Sequence, residues 1–228
     1  MRKMGIIMIV LAACLTFTIP VFAWTVEEVN MNEVKVTVKE SSSAQSSSAQ
    51  PSSWAQKEIS DAVSAGIVPD LTSNPAYTAA ITREQFAELI VCMVEKAQGG
   101  ELSIAGSSFT DCKNTAVLKA YGAGIVSGVG ANRFDPTAKT NREQIAAMLA
   151  RAVAYLEVSK DKDITPLKAD LSKFTDKAQV SGWATESVGL LAANCIMAGT
   201  SSTTLSPKSP CTVEQSILLV HRMYTALQ

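Results

Sequence analysis

Apolar positions recur at helical spacing in three stretches of the chain. Phe86, Leu89, Ile90, Met93 and Val94 share one face, as do Ile145, Met148, Leu149, Ala152 and Val153. Leu219, Val220, Met223 and Tyr224 form the third face, with Ser216 as the one polar lapse. Each stretch is opened by the same five-residue event: Ile81-Thr82-Arg83-Glu84-Gln85, then Thr140-Asn141-Arg142-Glu143-Gln144, then a degraded Cys211-Thr212-Val213-Glu214-Gln215. In every copy a Thr or Asn precedes a Gln by three residues. That spacing predicts a capping box, in which the Thr or Asn oxygen takes a first-turn N–H and the Gln reaches back to the cap.

A weaker pattern precedes each capped stretch. Ile59, Ala62 and Val63, then Val117, Ala120 and Tyr121, then Val188, Leu191 and Ala192 predict three short amphipathic helices. The first two end at Ala65 to Val68 and Ala123 to Val126, where Gly66 and Gly124 suit a left-handed residue that closes a helix. Asn194-Cys195 stands there in the third copy, and Asn is the residue next best suited to that conformation. In this register Trp54, Cys112 and Trp183 correspond, each thirteen residues before an isoleucine (Ile67, Ile125 and Ile196). The repeated unit is therefore helix, loop, capped helix, over residues 54–100, 101–160 and 161–228. The last connection is lengthened by a charged stretch, 158–172. A unit this small cannot bury its apolar faces alone, so the three must pack on one another. The expected fold is all-α.

The first 53 residues read differently. Met1-Arg2-Lys3 is basic, residues 5–22 are almost wholly apolar, and Val21-Phe22-Ala23 ends on a small residue. Residues 1–23 read as a secretory signal peptide; a lipobox at Leu11 to Cys14 is the rival reading, opposed by the apolar run that continues to Phe22. Residues 24–40 end in a strand-like alternation of Val34, Val36 and Val38 with Lys35, Thr37 and Lys39. Residues 41–53 form a Ser/Ala/Gln linker with nothing to bury. No stretch after the signal approaches the roughly 20 apolar residues that span a bilayer.

Charge adds little. Removing residues 1–23 takes away Arg2 and Lys3 and no acid, so the formal net charge of −1 becomes −3, with no basic run to suggest nucleic acid. Four cysteines remain: Cys92, Cys112, Cys195 and Cys211. In an exported chain an even count favours disulfides, with sequential pairing as the expectation and buried free thiols as the alternative. None forms a C-x-x-C, and His221 is the lone histidine, so no metal site and no cofactor is expected.

Arg83 and Arg142 break a local rule at the same place twice, because a cation in a first turn opposes the helix dipole. Helix N–H groups beside a guanidinium fork would suit a carboxylate or phosphate. The plain alternative is that both arginines pair with a nearby acid and only hold the repeats together.

These motifs, in order and in register, resemble the S-layer homology domain. The carriers are Phe109-Thr110-Asp111, Gly124-Ile125-Val126-Ser127-Gly128, Phe134-Asp135-Pro136 and Asn141-Arg142-Glu143, with Phe174-Thr175-Asp176 opening the third copy. The resemblance covers residues 54–228 and implies three repeats packed as a pseudo-threefold prism with grooves between neighbours. It also implies a non-catalytic module that holds an exported protein on a bacterial cell wall or S-layer surface. The implied ligand is a wall-linked polysaccharide, commonly one bearing a pyruvate ketal. That ketal presents a carboxylate to Arg83 and Arg142, while Trp54 and Trp183 offer flat apolar faces to sugar C–H groups. Core packing is the equal alternative for both tryptophans. Asp111 and Asp176 are expected either to accept sugar hydroxyls or to cap a short helix, and Glu84 and Glu143 to be structural or to orient an arginine.

The departures limit the grooves to two. Val213 replaces the arginine in the third copy, Cys112 replaces the tryptophan in the second, and Pro69-Asp70 replaces a small residue and Gly in the first. Two other classes compete. A wall-polymer hydrolase would need a carboxylate of raised pKa, whereas Glu84 and Glu143 sit in first turns that lower it. A protein-interaction scaffold would use the same grooves for peptides, or residues 24–40 as a strand added to another exported protein.

Overall fold

The computed structural model describes residues 50–104, 106 and 109–228. The signal peptide, the strand-like segment 24–40 and most of the linker lie outside the described residues. Within them are six α-helices: α1 (Gln56–Ser64), α2 (Arg83–Gln98), α3 (Thr115–Gly122), α4 (Arg142–Lys160), α5 (Thr185–Ala193) and α6 (Val213–Ala226). Two 3-10 turns, Lys177–Gln179 and Gly182–Ala184, precede α5. Among the described residues there is no strand, only isolated bridges, and the fold is all-α.

The three long helices begin as their sequence dictates. Thr82, Asn141 and Thr212 are extended caps, and each accepts the N–H of the Gln three residues on while that Gln answers the cap N–H. Phe86, Leu89, Ile90, Met93 and Val94 are buried, as are their counterparts on α4 and α6 except Tyr224, which is partly buried. Ser216, the polar lapse, is fully buried, and its hydroxyl donates to Thr212 O at 2.8 Å. That hydrogen bond removes the penalty of burying it.

The short helix of a repeat does not pack on that repeat's own long helix. Among the described residues, α3 lies on α2, α5 on α4 and α1 on α6, so each short helix covers the long helix of the repeat before it. The long helices also touch one another pairwise. What joins them is a closed ring of backbone hydrogen bonds at the residue before each cap. Thr140 N–H donates to Ile81 O at 3.1 Å, Cys211 N–H to Thr140 O at 3.0 Å, and Ile81 N–H to Cys211 O at 2.9 Å. All three residues are buried.

The ring continues outward. The first two N–H groups of α2 donate to Ala138 O and Pro136 O, those of α4 to Ser209 O and Pro207 O, and those of α6 to Ala79 O and Tyr77 O. Each long helix therefore starts against the loop of the next repeat. With the cap supplying the third N–H, the donors that a helix start ordinarily leaves to solvent or ligand are occupied.

Two local expectations change. At the end of α5 it is Cys195, not Asn194, that takes the left-handed conformation (φ +61°), because Cys195 is the residue in register with Gly66 and Gly124. Asn194 instead bonds Leu190 O, Leu167 O and Leu167 N–H, fixing the long connection onto α5. All four cysteines are free thiols, with Cys112 and Cys211 buried and Cys195 exposed, so the expected sequential disulfides are not present in this structure. Burial pushes the Cys211, Cys112 and Cys92 thiols above their ordinary value.

Gly199 shows how tightly the third loop closes. A Cβ there would press on the Ser201 and Thr204 carbonyls and lie 2.8 Å from the Phe174 ring. Gly199→Ala should destabilise the protein by about 1–3 kcal/mol, read as a lower midpoint in urea denaturation. An unchanged midpoint would show that the loop yields.

Candidate functional site

The two first-turn arginines have equivalent surroundings in neighbouring repeats. Arg83 Nε donates to Phe134 O and its Nη2 to Ser127 O, both at 2.9 Å. Arg142 Nε donates to Leu205 O at 2.9 Å and its Nη2 to Ala198 O at 2.7 Å. Each guanidinium thus staples a long helix to two carbonyls of the following repeat. The partners are carbonyls rather than the acids that the alternative reading supposed. Arg142 is only 5% exposed, and burial lowers the pKa of both guanidinium groups from the ordinary arginine value. The helix starts themselves are closed to an anion, because their N–H groups are already bonded to backbone.

The acidic candidates are also occupied. Asp111 accepts the N–H groups of Phe134 and Asp135, and Asp176 those of Leu205 and Ser206, all between 2.7 and 3.0 Å. Neither caps a short helix. Each braces its loop where the chain turns through a positive φ, at Asp135 (+60°) and Ser206 (+55°). Glu143, 2% exposed, accepts the Ser181 N–H and hydroxyl at 3.0 Å and the Lys208 ammonium at 2.6 Å. Glu214 receives the Ser52 N–H and hydroxyl in the same way, and Glu84 faces the Cys112 thiol at 4.0 Å. Glu143 and Glu214 thus hold the chain entering α5 and α1.

The tryptophans are surface residues. Trp54 is 59% and Trp183 60% exposed, so neither serves as core packing. A groove of about 420 Å³ brings Trp54 and Arg142 together, walled by Gly199 and Thr200 of the third loop and by Gln215, Leu218, Leu219 and Arg222 of α6. It is built from all three repeats: a tryptophan before one short helix, an arginine starting one long helix, and a loop and long helix from the third.

Shifting the register by one repeat makes Trp183, Arg83, Gly128, Gln144, Met148 and Arg151 the counterparts of this lining, and Arg151 also borders a separate cavity with Ala123, Gly124, Tyr155 and Val158. The short turn bearing Trp183 packs on α4, and Arg151 is close enough to Arg83 to lower its pKa, as Arg222 does to Arg142. The third register holds Cys112, Val213, Asp70, Glu88 and Cys92, with no tryptophan and no arginine.

Arg151 and Arg222 were not singled out by sequence reasoning. The signal was present: each stands nine residues after a first helical residue, with Cys92 as the third counterpart. Nine residues are two and a half turns, so these positions lie across the helix from its first residue and off the apolar stripe that a search for periodicity follows. Among the described residues no metal-binding cluster occurs, and no helix is long and apolar enough to cross a membrane.

Residues 110–146 and 173–214 match the S-layer homology domain family. The chain is similar to an endoglucanase of Bacillus sp. (strain KSM-635), 30% identical over 172 residues that cover 74% of this chain and 17% of the enzyme. It is 28% identical to exoglucanase XynX of Acetivibrio thermocellus over 179 residues, 74% of this chain and 15% of that protein. A surface-layer 125 kDa protein of Lysinibacillus sphaericus is 24% identical over 175 residues, 75% of this chain and 14% of that protein. The chain spans less than a fifth of each of these relatives.

Two outcomes test the structural roles. Arg142→Ala leaves the Leu205 and Ala198 carbonyls without their charged donor and should cost roughly 3 kcal/mol in chemical denaturation; a loss below ~1 kcal/mol would show water replacing the guanidinium. Burial alone would raise the Glu143 pKa, but the Lys208 ammonium and the Ser181 N–H and hydroxyl outweigh it and hold that pKa below the ordinary glutamate value. A depressed folded-state pKa gives stability that is complete above the unfolded value and lost as pH falls through the folded one. The melting temperature of wild type should therefore drop more steeply than that of Glu143→Gln as pH is lowered from 5 to 3 (roughly the carboxylate range). Parallel curves would show that this carboxylate is not linked to folding.

Proposed function

Since this chain is an S-layer homology domain protein, we propose that it is a non-catalytic cell-surface anchoring module that binds an anionic, wall-linked polysaccharide in grooves between its repeats. One observation carries this reading: an exposed tryptophan and a helix-starting arginine, far apart in sequence, line the same groove. An indole face stacks on sugar C–H groups, and its N–H reaches a hydroxyl. The guanidinium retains its Nη1 side, since Nε and Nη2 serve the carbonyls, and that side is left to donate to a ligand oxygen.

The closed ring of hydrogen bonds and the cyclic helix packing support a pseudo-threefold prism with three groove positions. Two of them combine a tryptophan, Trp54 or Trp183, with a helix-starting arginine. Similarity to an endoglucanase and an exoglucanase fits an accessory module rather than a catalytic one, because the chain matches only a small part of each. A hydrolase reading finds no support in Glu84, which faces the Cys112 thiol, or in Glu143, which holds the chain entering α5. The surface-layer relative favours an extracellular, wall-associated location.

Binding of the full chain to purified sacculi tests this. Trp54→Ala and Trp183→Ala, at exposed positions that leave the core intact, should each weaken binding about tenfold. The double variant should abolish it, and mild acid removal of the ketals should weaken wild-type binding. Binding indifferent to both tryptophans would overturn the groove assignment.

A further inference from the structure

We propose that the two tryptophan grooves are inequivalent, and that Arg151 makes the Trp183 groove the one that recognises a carboxylate. This rests on the wall-polymer reading above and states which of its grooves takes the acid.

Four arginines serve the two grooves, and three have their bidentate edge in use. Arg83 and Arg142 spend Nε and Nη2 on loop carbonyls. Arg222 spends the same two nitrogens on Glu58, at 2.9 and 3.0 Å, and His221 Nδ1 lies 3.4 Å from that carboxylate. Glu58 is on α1, which packs against α6, so the pair is a built-in contact between the first and third repeats. The sister position to Glu58 is Ser187 on α5, which packs against α4 in the same way. No carboxylate replaces Glu58 there. Arg151 is exposed and has no hydrogen-bond or ion-pair partner among the described residues.

Net charge alone would not separate the grooves. Asp135 acts on Arg83 electrostatically, though not in ion-pair contact, and Asp176 acts on Arg142. The difference is in donors. A carboxylate is held best by two parallel N–H groups of one planar fork, and only Arg151 has that fork unused. In the Trp54 groove an incoming acid would have to displace Glu58 from Arg222. That groove is left to a sugar recognised by stacking and hydroxyl contacts.

Calorimetric titration of the full chain with a hexose carrying a pyruvate ketal, and with its ketal-free parent, tests the assignment. Wild type should show one ketal-dependent site per chain. Arg151→Gln should weaken it at least tenfold, and Arg151→Lys should recover only part, since it returns the charge without the fork. Ser187→Glu should weaken the site as much as Arg151→Gln by giving Arg151 the partner that Arg222 has. Glu58→Gln should release Arg222 and create a second ketal-dependent site.

Two equal ketal-dependent sites in wild type, or one site indifferent to Arg151→Gln and Ser187→Glu, would overturn this inference and leave the wall-polymer reading standing. Equal binding of the two sugars, or of neither, would overturn the anionic-polymer reading as well.

Discussion

Three backbone hydrogen bonds, joining Ile81, Thr140 and Cys211 head to tail, set the geometry of everything outside them. They are buried, so each unmade bond would carry a full desolvation cost rather than an exchange with water. Each lies one residue before a cap. The ring therefore fixes where the three long helices begin, and their apolar faces then meet because the sequence has put them in the same phase. The arginine staples and the glutamate clamps extend the same logic by one shell, each reaching from a helix start into a neighbouring repeat.

The local part of this architecture was legible in the sequence. Caps, apolar faces and the glycine closures at Gly66 and Gly124 depend on residues within a turn or two of each other, and they lie where the spacing put them. The partner of each arginine was not legible, because carbonyl acceptors are present at every residue and leave no trace in side-chain chemistry. The role of Asp111 and Asp176 was obscured for the same reason: they serve backbone N–H groups more than twenty residues away. The exchange of Asn194 for Cys195 shows register overruling propensity. The chain needed its left-handed residue one place later, and the asparagine found side-chain partners instead.

The grooves divide similarly. Trp54 and Arg142 could be nominated individually from the repeat pattern, but they stand about ninety residues apart and belong to different repeats. Only the cyclic packing brings them together. The same packing gathers departures that are scattered along the chain: Asp70 of the first repeat and Val213 of the third line one cavity. Substitutions that look unrelated along the sequence thus meet in three dimensions.

The contact of α1 with α6 has a mechanical consequence. The described chain enters beside α6, where Ser52 grips Glu214 and Arg222 grips Glu58, so tension applied near residue 50 is delivered at once to the last helix. In an open stack of repeats such a pull would strip the end repeat first and work inward. Here the first short helix cannot leave without uncovering the third repeat, whose long helix touches those of the other two. A load is thus shared by the whole ring, and release becomes a single cooperative event instead of a sequence of small ones.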